Sequence, residues 1–267
     1  MALPDPAPDS TCLVTGASAG IGAEIARELA RRGLGVTLAA RREERLRELA
    51  DELSEEHGVR AETVSVDVAD VNARKRLKAD LHERGLTVEV LVNNAGFGSG
   101  GKFTGLDAEE EAAMIRTNVE AVIALTGMFL PGMVERDRGA ILNLASLIAF
   151  QPVPFQATYG ASKAAVLSFT EAIHEELRHT GVTITAVCPG PVRTEFGEQG
   201  GFGGADDKIP GFVWLEADKV AADAVEGLEE GERVVVPGAL NQLAAYAGHY
   251  MPRSLLLPTV RRVWPVS

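Results

Sequence analysis

Cysteine is scarce: the 267-residue chain has two, Cys12 and Cys188. Both lie inside apolar runs, so they read as reduced core thiols and not as a disulfide framework. The histidines, His57, His82, His174, His179 and His249, are scattered without ligand-like spacing, and no metal site is expected. No stretch reaches the roughly 18 consecutive apolar residues that a membrane span needs. Cations are outnumbered, 26 Lys and Arg against 38 Asp and Glu, for a net charge of −12. That balance excludes an extended phosphate-backbone interface, and with it nucleic acid as a general partner. A single phosphorylated small ligand needs only a few local cations and stays open. The opening MALPDPAPDS carries Pro4, Pro6 and Pro8 and has neither a basic start nor an apolar run. It is expected to be a disordered arm over residues 1–9 and not a signal segment. A cytoplasmic protein is the resulting expectation.

What is present is an alternation of short apolar runs and longer amphipathic stretches. The strand candidates are residues 11–16, 35–40, 61–66, 88–93, 140–146, 182–188 and 233–237. Between them lie helix candidates at 20–32, 42–57, 70–84, 107–135, 157–179 and 216–230. The β-branched runs are continuous and not strictly alternating, which suits strands buried on both faces. The order predicts one α/β domain over 10–238: a doubly wound parallel sheet of about seven strands with helices on both faces. Ligands bind such folds outside the carboxyl ends of the strands.

Two stretches aim at that edge. The first is TGASAGIG, residues 15–22, with Gly16, Gly20 and Gly22 between a strand and a helix. Such a turn lets backbone N–H groups meet a pyrophosphate, although alone it is equally a tight turn without a ligand. The strand that follows ends at Ala40, where an acid would take a ribose 2′-hydroxyl, and continues to Arg41 and Arg42. A guanidinium at Arg41 suits a 2′-phosphate and favours NADP(H) over NAD(H). Arg42 reads as the start of a solvated helix. The second stretch is YGASK, residues 159–163, which puts Tyr159 and Lys163 on one helix face.

Taken together, the chain resembles the short-chain dehydrogenase/reductases over roughly residues 10–237. The resemblance rests on TGASAGIG, Asp67-Val68, NNAG at 93–96, Asn118, Ser146, YGASK and PGPVRT at 189–194, all in the family's order. It implies a Rossmann-type fold and a reaction that interconverts a carbonyl and an alcohol by hydride transfer. Tyr159 would be the general acid or base and Ser146 the group that orients the substrate oxygen. A phenol's ordinary pKa is about 10, so Lys163 is expected to favour the phenolate by its charge. Lys163 and Tyr159 would also meet the nicotinamide ribose, and Asn118 would hold a relay water. By the same resemblance Ser18, Ile21, Asn94, Ala95, Gly96, Pro189, Gly190, Val192 and Thr194 line the cofactor cleft, with Asp67 and Val68 at the adenine. Asp67 reads equally as a helix cap, and Asn93 as a tie between strands.

The pocket is expected to be lined by LIAFQPVPFQ after Ser146, by Phe97 and Gly98, and by a Gly-rich lid over residues 195–215. Few cations lie there, which points to a small, mostly apolar carbonyl or alcohol. The end of the chain, residues 239–267, reads as an extension packed on the domain or at a subunit interface. Membrane contact is not expected, and the family implies a homodimer or homotetramer. Two rival functions remain: a non-catalytic NADP(H) sensor, and a peripheral membrane reductase of lipid-like carbonyls anchored by that extension.

Overall fold

The continuous apolar runs become the buried strands of one sheet. The computed structural model describes residues 3–196 and 211–263. Seven parallel strands stand in the order β3-β2-β1-β4-β5-β6-β7. They are β1 Ser10–Thr15, β2 Val36–Ala40, β3 Ala61–Ser65, β4 Thr87–Asn93, β5 Gly139–Leu144, β6 Val182–Val187 and β7 Val234–Val235. Every residue of β1, β5 and β6 is buried, which is why their sequences show no polar alternation. β3 sits at one end of the sheet, and its AETVS is only partly covered.

Helices cover both faces. On one side α1 (Gly20–Arg31), α2 (Glu43–His57) and α7 (Ala217–Glu230) bury Ile25, Leu29, Leu46, Leu53, Val225 and Leu228 against the sheet. On the other side α3 (Val71–Glu83), α5 (Ala121–Glu135) and α6 (Ala157–Glu176) bring Leu77, Leu81, Leu125, Met133 and Ile173 onto Leu13, Leu91 and Ile141. Polar residues fix the ends. The Asp70 carboxylate caps α3 by accepting from the N–H groups of Asn72 and Ala73. Gly58 closes α2 in the left-handed region at φ 67°.

Three features differ from the sequence expectations. The single helix expected over 107–135 is α4 (Ala108–Ile115), a π-helical turn (Arg116–Glu120) and α5, joined end to end. By length and composition this run is apolar enough to cross a membrane, but α5 packs on β4 and β5 as a sheet-covering helix. Residues 3–9, expected to be a disordered arm, lie against the body: Pro4 is buried and Leu3 packs on the core. The C-terminal extension is two helices, α8 (Ala239–Tyr250) and α9 (Arg253–Val263), that the sequence reading did not resolve. α8 packs on the 3-10 turn Leu147–Phe150 and turns Leu240, Leu243, Tyr246 and Tyr250 outward. Most of the expected lid, residues 197–210, falls outside the described residues.

Leu13, fully buried in central β1, reports on this core. Leu13→Ala is expected to lower unfolding free energy by about 2–5 kcal/mol in a denaturant titration.

Candidate active site

The strand order reverses between β1 and β4, and the glycine loop and the NNAG segment leave the sheet side by side at that point. Thr15 ties them. Its hydroxyl donates to Val92 O and accepts from the N–H groups of Asn94 and Ala95, at 3.0–3.1 Å. The Asn94 amide reaches back to Thr15 O at 2.9 Å and Gly16 O at 3.2 Å. This closeness requires glycine. Gly16 lies at φ +68°, and a Cβ there would stand 2.8 Å from Ala95 Cα. A Cβ at Gly22 would collide with Asn94 and Gly16 O. α1 begins at Gly20 with no side-chain cap and no acidic residue in its first turn. Its first N–H groups are thus left for an anion such as a pyrophosphate. Ile21 packs inward on the core beneath the loop.

At the end of β2 the two arginines part. Arg41 is exposed and has no ion pair or hydrogen bond among the described residues. Arg42, expected on a solvated face, turns back over the cleft and donates from Nε to Ser18 Oγ at 3.1 Å. Beyond β3, the cap of α3 is Asp70, while Asp67 holds a turn by accepting from Ala69 N at 2.9 Å. Val68 is buried, and its carbonyl accepts from Arg74.

The proton-handling groups come from β5 and α6. Ser146 follows β5, accepts from Ile148 N and donates to Pro189 O, both at 3.4 Å, and hydrogen-bonds the Tyr159 phenol. One turn further along α6, Lys163 is 6% exposed and its ammonium donates to Leu144 O at 2.7 Å. Its nitrogen lies 5.8 Å from the centre of the Tyr159 ring. Burial pulls Lys163 down to about 8. Burial pushes Tyr159 up to about 12, against the opposing pull of Ser146, although the residue keeps some exposed surface. The sequence expectation was the reverse, a phenol lowered by Lys163. Here burial outweighs the opposing Ser146 hydrogen bond, and the phenol sits above its ordinary value.

Asn118 lies in the π-helical turn, a distortion that re-aims side chains. Its Nδ2 donates to Phe97 O at 2.9 Å and Ser162 Oγ at 3.1 Å, and its Oδ1 accepts from Phe97 N at 3.1 Å. The side chain is a strut between the NNAG segment and the tyrosine helix, with both amide hydrogens engaged. Gly96 passes so close that a Cβ would stand 2.9 Å from Asn118 Oδ1. Asn93 is a tie: it donates to Asn143 Oδ1 at 2.9 Å, and Asn143 donates to Thr170 on α6 at 2.9 Å.

The PGPVRT loop closes the other lip. Val192 bridges to Leu215, and Thr194 packs against Gly20 of the glycine loop. Asn241 of α8 is buried, sits against Gly190 and donates to Pro237 O at 2.9 Å. Phe196 tilts over the Tyr159 ring with centroids 5.7 Å apart. Phe196 belongs to the lid expected to line the pocket, whereas Thr15, Ser162 and Asn241 were not foreseen. The first two of these stand inside quoted motifs, and their small hydroxyls carry no signal of their own. Asn241 reaches the site through packing from a distant segment.

Known proteins share this architecture. The short chain dehydrogenase family matches residues 10–200. A putative ketoacyl reductase of Streptomyces coelicolor is 39% identical over 236 residues, 88% of each chain. A short-chain dehydrogenase from Sphingobium yanoikuyae, solved with NADPH, superposes with a TM-score of 0.80 at 32% identity, covering 92% of this chain and 94% of that one. Actinorhodin polyketide ketoreductase, also solved with NADPH, gives 0.76 at 36% identity, covering 87% and 97%. The chain belongs to the short-chain dehydrogenase family and is an oxidoreductase of that family.

Proposed function

We propose that the protein is an NADP(H)-preferring reductase of an apolar ketone or aldehyde, with Tyr159 as the proton donor. The observation that carries this reading is the meeting of three groups at the end of β5: Ser146 hydrogen-bonded to the Tyr159 phenol, and the Lys163 nitrogen 5.8 Å from the centre of the Tyr159 ring and bonded to Leu144 O. When bound, the nicotinamide supplies the hydride. Ser146 and Tyr159 then address the substrate oxygen together, the Ser146 hydroxyl turning from Pro189 O to donate to it and Tyr159 acting as general acid. The proton leaves Tyr159 Oη for that oxygen and the phenol becomes a phenolate. At that stage the Lys163 charge stabilises it; with a pKa of about 8, Lys163 is mostly protonated at neutral pH. Asn118 positions Tyr159 through Ser162, whose hydroxyl donates to Tyr159 O at 2.7 Å.

The cofactor assignment draws on the open first turn of α1 and on Ala40, where no carboxylate waits for a ribose hydroxyl. Arg41, exposed and without an ion pair among the described residues, suits a 2′-phosphate, and the NADPH complexes of the two structural relatives agree. Those relatives, with the ketoacyl reductase, support a ketone on an acyl or polyketide chain as the substrate class. The apolar Phe196 against the Tyr159 ring and Ile148 beside Gly160 suit such a chain. A non-catalytic sensor has no use for a serine-bound tyrosine donor. A cytoplasmic dimer or tetramer through the outer faces of α4, α5 and α6 completes the reading, with Ile115, Ile123 and Val134 exposed there.

Tyr159→Phe is expected to lower kcat by about 10²–10⁴-fold while NADPH affinity stays near wild type. Retained turnover in a steady-state assay would refute the role. Arg41→Ala is expected to weaken NADPH about ten-fold or more and leave NADH unchanged, read by fluorescence titration. Equal binding of the two cofactors by the wild type would contradict the preference.

A further inference from the structure

We propose that Arg42 and Arg45 form an additional seat for the cofactor's 2′-phosphate, and that Glu195 is its built-in competitor. The inference rests on the NADP(H) reading above and adds to Arg41 two cations and an internal anion.

Glu195 follows the PGPVRT loop on the β6 side of the cleft. Its carboxylate crosses to the β2 side, where Oε2 accepts from Arg42 Nη1 at 2.9 Å and Oε1 from Arg45 Nη1 at 2.7 Å. Arg42 is simultaneously bonded to Ser18 of the glycine loop. Two guanidinium groups therefore converge on one carboxylate just beyond the end of β2, and one of them is tied to a hydroxyl of the glycine loop. That is where a sheet of this winding receives the adenosine ribose. The two arginines hold the Glu195 carboxyl below its ordinary range.

The seat is easily vacated. Arg42, Arg45 and Glu195 keep 41%, 47% and 42% of their side-chain surface in solvent, and exposed ion pairs of this kind are weak. A phosphate monoester carries up to two charges against one on a carboxylate, and it meets guanidinium groups in the same forked geometry. NADPH therefore displaces Glu195 and takes both arginines. NADH brings no group that does so. On this account Glu195 holds down NADPH affinity in the resting protein, and the arginine pair sharpens the choice between cofactors.

The test is a set of fluorescence titrations with NADPH and NADH, with adenosine 2′-monophosphate and adenosine 5′-monophosphate as competitors. Glu195→Gln is expected to tighten NADPH and adenosine 2′-monophosphate about three-fold, the size of an exposed ion pair, and to leave NADH and adenosine 5′-monophosphate unchanged. A double variant, Arg42→Ala with Arg45→Ala, is expected to weaken NADPH and adenosine 2′-monophosphate about ten-fold while NADH affinity, the control for folding, is retained. The proposal is overturned if Glu195→Gln leaves NADPH affinity unchanged. It is equally overturned if that variant weakens both cofactors together, which would make Glu195 a clasp over the cleft. A double variant that keeps its NADPH preference, in a protein where Arg41→Ala abolishes it, removes this seat and leaves the NADP(H) reading intact.

Discussion

One backbone carbonyl, Leu144 O at the end of β5, anchors the buried ammonium of Lys163. An ammonium removed from water is costly unless it is paired or hydrogen-bonded, and at this position the sheet supplies the partner. That anchor fixes the N-terminal part of α6 against the sheet edge. Tyr159 is thereby held beside Ser146, which leaves the same strand two residues after Leu144. The β5 end is itself braced by the Asn93–Asn143–Thr170 chain, which runs from β4 through β5 to α6. Lys163 therefore both orders the site and supplies its charge.

The same packing bears on the proposed reduction. Burial acts in opposite senses on the two groups, lowering an ammonium and raising a phenol, because each is pushed toward its neutral form. Before cofactor or substrate arrives, Tyr159 is a donor and Lys163 a cation of reduced pKa. In the proposed reduction Tyr159 gives up its proton, and a phenolate and an ammonium then face each other in a site of low polarity, where their attraction is strong. The pair thus favours the charge distribution that follows proton transfer.

Much of this was legible in the sequence, and the rest was hidden for physical reasons. The strands of the sheet were legible because burial on both faces writes continuous β-branched runs, as in AILNL and VTITAV. Ser146, Tyr159 and Lys163 were legible as a set because motif residues at strand ends and helix starts converge on one edge. The pKa direction of Tyr159 was not, since it depends on how much protein surrounds the ring. Asn118 as a strut was hidden by the π-helical turn, which breaks the 3.6-residue period that a helix reading assumes. The role of Arg42 was hidden because its partner Glu195 lies 153 residues away. α8 and α9 were hidden because α8 leaves Leu240, Leu243, Tyr246 and Tyr250 outside, so no apolar stripe marks its inner face.

The most direct test of the account is the ionisation of Tyr159 in the cofactor-free protein. The chain has three tyrosines, and Tyr246 and Tyr250 are both two-thirds exposed. Phenolate absorbance of the wild type minus that of Tyr159→Phe, followed from pH 6 upward, isolates the remaining one. The account predicts a flat difference past the ordinary phenol range, because burial holds Tyr159 near 12. Phenolate appearing in that difference between pH 7 and 9 would contradict it and restore Tyr159 as a base activated by Lys163 in the resting enzyme.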